Sequence, residues 1–131
     1  TRLQGDWSSD VCSSDLWNNQ RQQVAKTYSQ LLAGADGVIV PKFSEGHVFH
    51  QYTVRVLGGK RDQVKQALAE AGIGAMIYYP IPQDKLPIYL GLHAENPVSN
   101  QLGQEVLSLP MWPELISAQI ETVATALKSQ L

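Results

Sequence analysis

The side chains able to do chemistry are few and unevenly placed. Three histidines, His47, His50 and His93, are the groups whose charge changes most readily near neutral pH. His50 stands in the alternating run VFHQYTVRVL, on the face that also carries Val48 and Tyr52. It could aim a hydrogen-bond donor or proton shuttle into a cleft, or sit at the core edge satisfied by backbone. His47 precedes it by three residues. In a strand that spacing turns the two rings to opposite faces, which excludes an ordinary metal pair. His93 falls in a loop region and reads as solvated. Tyr78-Tyr79-Pro80 closes an apolar run and opens a proline-rich loop. Strand ends that feed long loops often contact ligands; equally, one tyrosine could fill the core while the other covers its rim. Gln83, Asp84 and Lys85 follow in that loop and are expected to face solvent. Arg61-Asp62 opens a helix, where Asp62 complements the helix dipole and the pair reads as structural.

Other chemistry is missing. No glycine-rich phosphate loop and no G-x-S-x-G turn is present, and no carboxylates are grouped for acid–base work. The single cysteine, Cys12, has neither a second cysteine nor a nearby histidine, so a zinc site is a poor reading. Cys12 lies in GDWSSDVCSSDLW, a stretch with no basic start and no apolar run, hence no signal peptide. Its composition fits disorder. It fits a foreign origin better: DWSSDVCSSDL is one translated frame of a common sequencing-library adapter. Residues 1–16 are therefore set apart as non-native or disordered, and residues 17–131 form the expected domain.

Setting them apart changes the composition. The formal net charge of −2 disappears, since removing Arg2, Asp6, Asp10 and Asp15 leaves nine basic and nine acidic residues. No cysteine remains, so disulfides and thiolate chemistry are excluded from the domain. Hydrophobic content of 44% and charged content of 17% are ordinary for a globular domain. No basic surface points to nucleic acid, and no run approaches the ~18 apolar residues of a membrane span. A cytoplasmic protein is compatible with this.

The elements that must position these residues follow from periodicity. Trp17–Ala33 reads as an amphipathic helix with Trp17, Val24, Tyr28, Leu31 and Leu32 on one side, stopped by Gly34. It has no clear start signal and looks cut. Val38–Val40 is a short edge strand. Val48–Leu57 is the best strand, with Val48, His50, Tyr52, Val54 and Val56 on one face and Phe49, Gln51, Thr53, Arg55 and Leu57 on the other. Lys60–Ala71 is a helix that turns Val64, Ala67, Leu68 and Ala71 inward, and Ala75–Tyr79 is a strand ended by Pro80. Pro80–Pro97 is loop-like, with four prolines. Ser99 caps a short helix to about Val106, Leu107–Leu109 is a third short strand, and Pro113 suits the first turn of the last helix. The buried stripe there is Leu115, Ile116, Ile120, Val123, Ala124 and Leu127. The fold class is α+β: a small two-layer domain of two or three strands with helices mainly on one face.

Several phrases, in order, resemble the sugar aminotransferases of the DegT/DnrJ/StrS type. They are WNNQR leading into QQVAKTYSQLL, then HVFHQYTVRV, then RDQVKQALAEAGIGAMIYYPIP, and finally EVLSLPMWPELISAQIETVATAL. The resemblance covers Trp17–Leu131. It implies the C-terminal small domain of a fold-type-I pyridoxal-phosphate enzyme with the aspartate-aminotransferase fold. Such enzymes move an amino group, usually from glutamate, to a keto-sugar nucleotide, and a homodimer is implied. The Schiff-base lysine, the acid on the pyridine nitrogen and most of the phosphate pocket would belong to a large domain. This chain is thus expected to be a truncated, inactive piece holding no catalytic, cofactor or metal ligand of its own. The implied substrate-binding residues are His50, Tyr52, Tyr79 and Gln83. One departure matters: where the family continues Y-P-x-P-x with a histidine, this chain reads PIPQDKLPIY, with Gln83 and Asp84. The sugar or carrier recognised would differ accordingly. Without a large domain to pack on, Trp112, Tyr28 or other apolar residues are expected to be exposed. The competing expectation is a stand-alone regulatory α+β domain that binds a small molecule.

Overall fold

The computed structural model describes residues 7–92 and 94–131, with side chains from residue 14 onward. Helix α1 (Trp7–Leu31) is followed by strand β1 (Val38–Ile39), strand β2 (Tyr52–Val56) and helix α2 (Arg61–Glu70). Two single-turn 3-10 helices, Gln83–Lys85 and Pro87–Tyr89, lead into helix α3 (Pro97–Glu105), strand β3 (Val106–Leu109) and helix α4 (Ser117–Lys128). The described strands form one antiparallel sheet in the order β1-β2-β3.

Strand alternation builds a two-faced layer. Register pairs Tyr52 with Leu109 and Val54 with Leu107 on the core face. Thr53 with Ser108 and Arg55 with Val106 form the open face. The core face is closed by α1, α2 and α4, which supply Val24 and Tyr28, with Leu32 just past the end of α1, then Val64 and Leu68, then Ile120, Val123 and Leu127. Tyr28 and Tyr52 stack inside this layer with ring centroids 5.0 Å apart. Each phenol keeps a partner: Tyr28 Oη donates to the Pro110 carbonyl at 3.0 Å, and Tyr52 Oη lies 2.8 Å from Ser29 Oγ. Burial pushes both phenols above their ordinary pKa, with the neighbouring Tyr52 adding to the effect on Tyr28 and the Ser29 bond partly offsetting it on Tyr52. Tyr28 is therefore fully buried rather than exposed, because the sheet of this same chain covers it; Trp112 is 43% exposed, as expected.

The sequence expectations need local correction. Helix α1 starts at Trp7, well before Trp17, and Trp17 is half-exposed rather than part of the buried stripe. Ala75–Tyr79 does not form a full strand; Met76 alone bridges Ser108, pairing with both its N–H and its carbonyl. β3 thus lies between β2 and this segment, which separates the two ends of the strand–helix–strand unit. Ser99 falls inside α3, whose N-cap is Asn96 with Pro97 in the first turn. Pro113 lies before α4 in a turn closed by Leu115 N–H on the Trp112 carbonyl. The cap of α4 is Ile116, whose N–H is met by Gln119 Oε1 at 3.3 Å. Ile116 is consequently 60% exposed, whereas the rest of the expected stripe is buried.

Candidate functional site: the open face of the sheet

The open face carries a groove of about 600 Å³. Its floor is Thr53, Val106 and Ser108, and one wall is Tyr78, Tyr79, Ile81, Pro82, Gln83 and Asp84. Asn96, Ser99, Leu102 and Gly103 of the α3 region form the opposite wall. A second open cleft, lined by His47, His50, Gln51 and Thr53, adjoins it and shares Gln51 and Thr53. The size and the mixture of apolar walls with scattered polar groups are those of a small-molecule site.

Each wall has a physical origin. Thr53 Oγ1 and Ser108 Oγ pair across the strands at 2.8 Å, so the floor offers a fixed hydroxyl pair. Arg61 is 8% exposed and ties α2 to the end of α3. Its Nη1 donates to the carbonyls of Gly103 at 3.0 Å and Val106 at 3.3 Å, and its Nε to Asp62 at 2.6 Å. The Arg61-Asp62 pair is thus structural, as read from sequence, and it also holds the α3 wall in place. At the same end of α3, Arg55 Nη2 meets Glu105 Oε2 at 2.7 Å. Hydrogen bonds from Gln101 and then Arg55 hold the Glu105 carboxyl below the usual carboxylate range. Along the loop, Lys85 Nζ donates to Glu95 at 2.6 Å, which raises the lysine's pKa and links the two ends of the Pro80–Pro97 excursion.

The implied site residues separate. His50 lines the second cleft, and Tyr79 and Gln83 line the main groove, all three exposed. Tyr52 does not join them. It is fully buried on the core face, and its hydroxyl is engaged by Ser29. His50 itself reaches the open side only because the expected strand is interrupted. Phe49 adopts φ 47°, and Val48 is exposed while Phe49 is buried, the reverse of the expected alternation. A left-handed conformation costs a bulky residue roughly 1–2 kcal/mol, so something local must hold it. His93 lies outside the described residues. Gln51, Thr53, Asn96, Ser99 and Ser108 line the groove, and none of them was picked out from sequence as a site residue. The polar i, i+2 series Gln51, Thr53, Arg55 was the signal for the first two; the α3 contribution depends on tertiary placement alone.

This surface offers hydrogen-bond donors and acceptors, tyrosine rings and one carboxylate, Asp84. These are groups that can hydrogen-bond to and stack against a small molecule. Among the described residues no group of three or more His, Cys, Asp or Glu is placed to hold a metal, and no helix is long and apolar enough to cross a membrane.

Residues 12–128 match the DegT/DnrJ/EryC1/StrS aminotransferase family. The chain belongs to that family. Among its relatives, a pleiotropic regulatory protein of Geobacillus stearothermophilus is 42% identical over 116 residues, which is 83% of this chain and 31% of that protein. A UDP-N-acetyl-3-dehydro-alpha-D-glucosamine 3-aminotransferase of Acidithiobacillus ferrooxidans is 39% identical, over 88% of this chain and 31% of its own length. The crystal structure of DesV from S. venezuelae in complex with a ketimine intermediate superposes with TM-score 0.80 and 32% identity, covering 88% of this chain and 32% of DesV. The chain therefore spans about a third of the length of the DegT/DnrJ/EryC1/StrS relatives it matches.

DegT/DnrJ/EryC1/StrS aminotransferases depend on pyridoxal phosphate, which needs a lysine for its imine and an acid to tune its ring. None of the six lysines lines the main groove or the His50 cleft. Lys60 and Lys128 bond the carbonyls of Leu131 and Leu31, and Lys85 is paired with Glu95. The residues present do not fit the cofactor's covalent anchor.

Proposed function

We propose that residues 17–131 are the C-terminal small domain of a pyridoxal-phosphate-dependent aminotransferase. It acts on a keto-sugar nucleotide with glutamate as amino donor, and it works as a homodimer. In this reading residues 6–16 are adapter-derived. The observation that carries the proposal is the open-face groove with Tyr79 and Gln83 in its wall and His50 beside it. Neutral hydrogen-bonding side chains beside aromatic rings suit a hydroxyl-rich ligand. Sugar-nucleotide aminotransferases among the relatives support the substrate class. The stand-alone regulatory domain is not favoured, since the relatives are longer proteins that carry this region as about a third of their length.

In this role the chain supplies one wall of a substrate site and no covalent chemistry. Mixed with pyridoxal phosphate and reduced with borohydride, it is expected to yield no stoichiometric adduct at any single lysine. One lysine labelled to completion, located by peptide mapping, would overturn the assignment. Sequencing the source DNA upstream of Trp17 tests the adapter reading: a frame that runs into a large domain once the adapter is removed is the expected result.

A second reading keeps the family and changes the role. The regulatory relative from Geobacillus, at 42% identity, favours a parent with a regulatory role rather than turnover. Amino transfer by the full-length parent separates the two.

A further inference from the structure

We propose that His47 is the positioning residue that turns His50 onto the open face, acting as a hydrogen-bond acceptor that holds the left-handed Phe49. The significance of His50 rests on the proposed substrate site; the positioning itself does not.

His47 is fixed at three atoms. Its N–H donates to the Ser44 carbonyl at 3.1 Å, closing a tight turn in which Gly46 has φ 83°. Its carbonyl accepts from Gln22 Nε2 of α1 at 3.0 Å. Its Nδ1 accepts from the Phe49 N–H at 2.9 Å. The last contact has the geometry of an Asx-turn, in which a side-chain acceptor captures the N–H two residues on. The imidazole also lies against the Phe49 ring, centroids 4.1 Å apart, and Phe49 continues into contact with Phe43 and Tyr52.

The consequence is a change of face. Regular alternation would put His50 beside Tyr52 in the core and leave Phe49 on the open side. With Phe49 held at φ 47°, its ring enters the core at 1% exposure, and His50 lines the cleft together with Gln51. No glycine is available at position 49 to adopt this conformation freely, so the acceptor at position 47 does the selecting. Two features follow. The acceptor requires an unprotonated Nδ1, because a doubly protonated imidazole has no lone pair to offer. And an asparagine, whose amide oxygen can occupy the same place, should replace the histidine, whereas phenylalanine, which keeps the ring and loses the acceptor, should not.

The test uses the full chain and NMR. The expected result is that His47→Asn retains slow solvent exchange of the Phe49 amide and the native imidazole signals of His50. His47→Phe should lose both, with Phe49 exchange accelerated at least tenfold, while core amides such as Val54 and Val123 stay protected. Those core amides separate local release from failure to fold. Unchanged Phe49 protection in His47→Phe overturns the proposal, and so does an asparagine variant that behaves like the phenylalanine one. The borohydride experiment reports only on whether this chain carries the cofactor's anchor, so either conclusion can fail while the other stands.

Discussion

Glu105 shows how a single carboxylate can link stability to the shape of the groove. Gln101 and Arg55 both favour its ionised form, so its pKa in the folded chain lies below its unfolded value. A depressed carboxylate stabilises the fold above the ordinary value near 4.3. That contribution declines as pH falls through this value and is gone below the folded one. Glu105→Gln is therefore expected to melt at a lower temperature at neutral pH and to show a flatter loss of stability on acidification. Thermal melts across the acid range check this; parallel curves for the two proteins would remove the argument. The pair is partly solvated, with Arg55 33% exposed, so added salt should narrow the difference.

At the scale of elements, the contact between α3 and the Pro80–Pro82 turn sets the groove width. A Cβ on Gly103 would lie 3.2 Å from Pro82 Cδ and 3.3 Å from the Pro80 carbonyl. Neither a proline ring nor a backbone carbonyl yields readily. Gly103→Ala gains up to ~1 kcal/mol of helix propensity and meets an overpacking cost of roughly 1–3 kcal/mol. The expected outcome is a net loss on the order of 1 kcal/mol, read in urea unfolding, with amide shifts confined to Ile81, Gln83 and α3. A more stable variant with an unmoved loop would show that the turn is free to give way. This contact also marks what could be read from sequence. Val64 and Leu68 of α2, the α4 stripe apart from Ile116 and the Tyr52, Val54, Val56 face were legible because burial repeats with the period of the element, whereas Ala71, expected inward, is exposed. The reversal at Phe49 was not, because it opposes local preference and depends on a hydrogen bond from His47. The start of α4 was misplaced at Pro113 because Gln119 caps Ile116 instead. Of the proposed site, His50 and Tyr79 stood out by pattern and were raised by the resemblance, and Gln83 entered where the chain departs from it, whereas Asn96 and Ser99 depend on where α3 docks.

The whole molecule is well closed on one side of its sheet and open on the other. Tyr28, Tyr52, Leu68, Leu107 and Leu127 are sealed between the sheet and α1, α2 and α4. Around the groove, Met76 is 51% exposed, Tyr79 77% and Ile81 55%; further along the loop Ile88, Leu90 and Leu92 are exposed as well. Soluble monomers seldom leave apolar side chains in contiguous patches of this kind. With nine basic and nine acidic residues beyond residue 16, little net charge opposes association. The covered core predicts a cooperative melt. The uncovered face predicts self-association, with sedimentation coefficients that rise with concentration and persist in high salt, as apolar contact requires. Replacing Ile81 and Ile88 together by lysine should restore a monomer without lowering the melting temperature appreciably, since neither side chain belongs to the core. A native chain that sediments as one monomeric species at every concentration would mean that these side chains cover one another in solution.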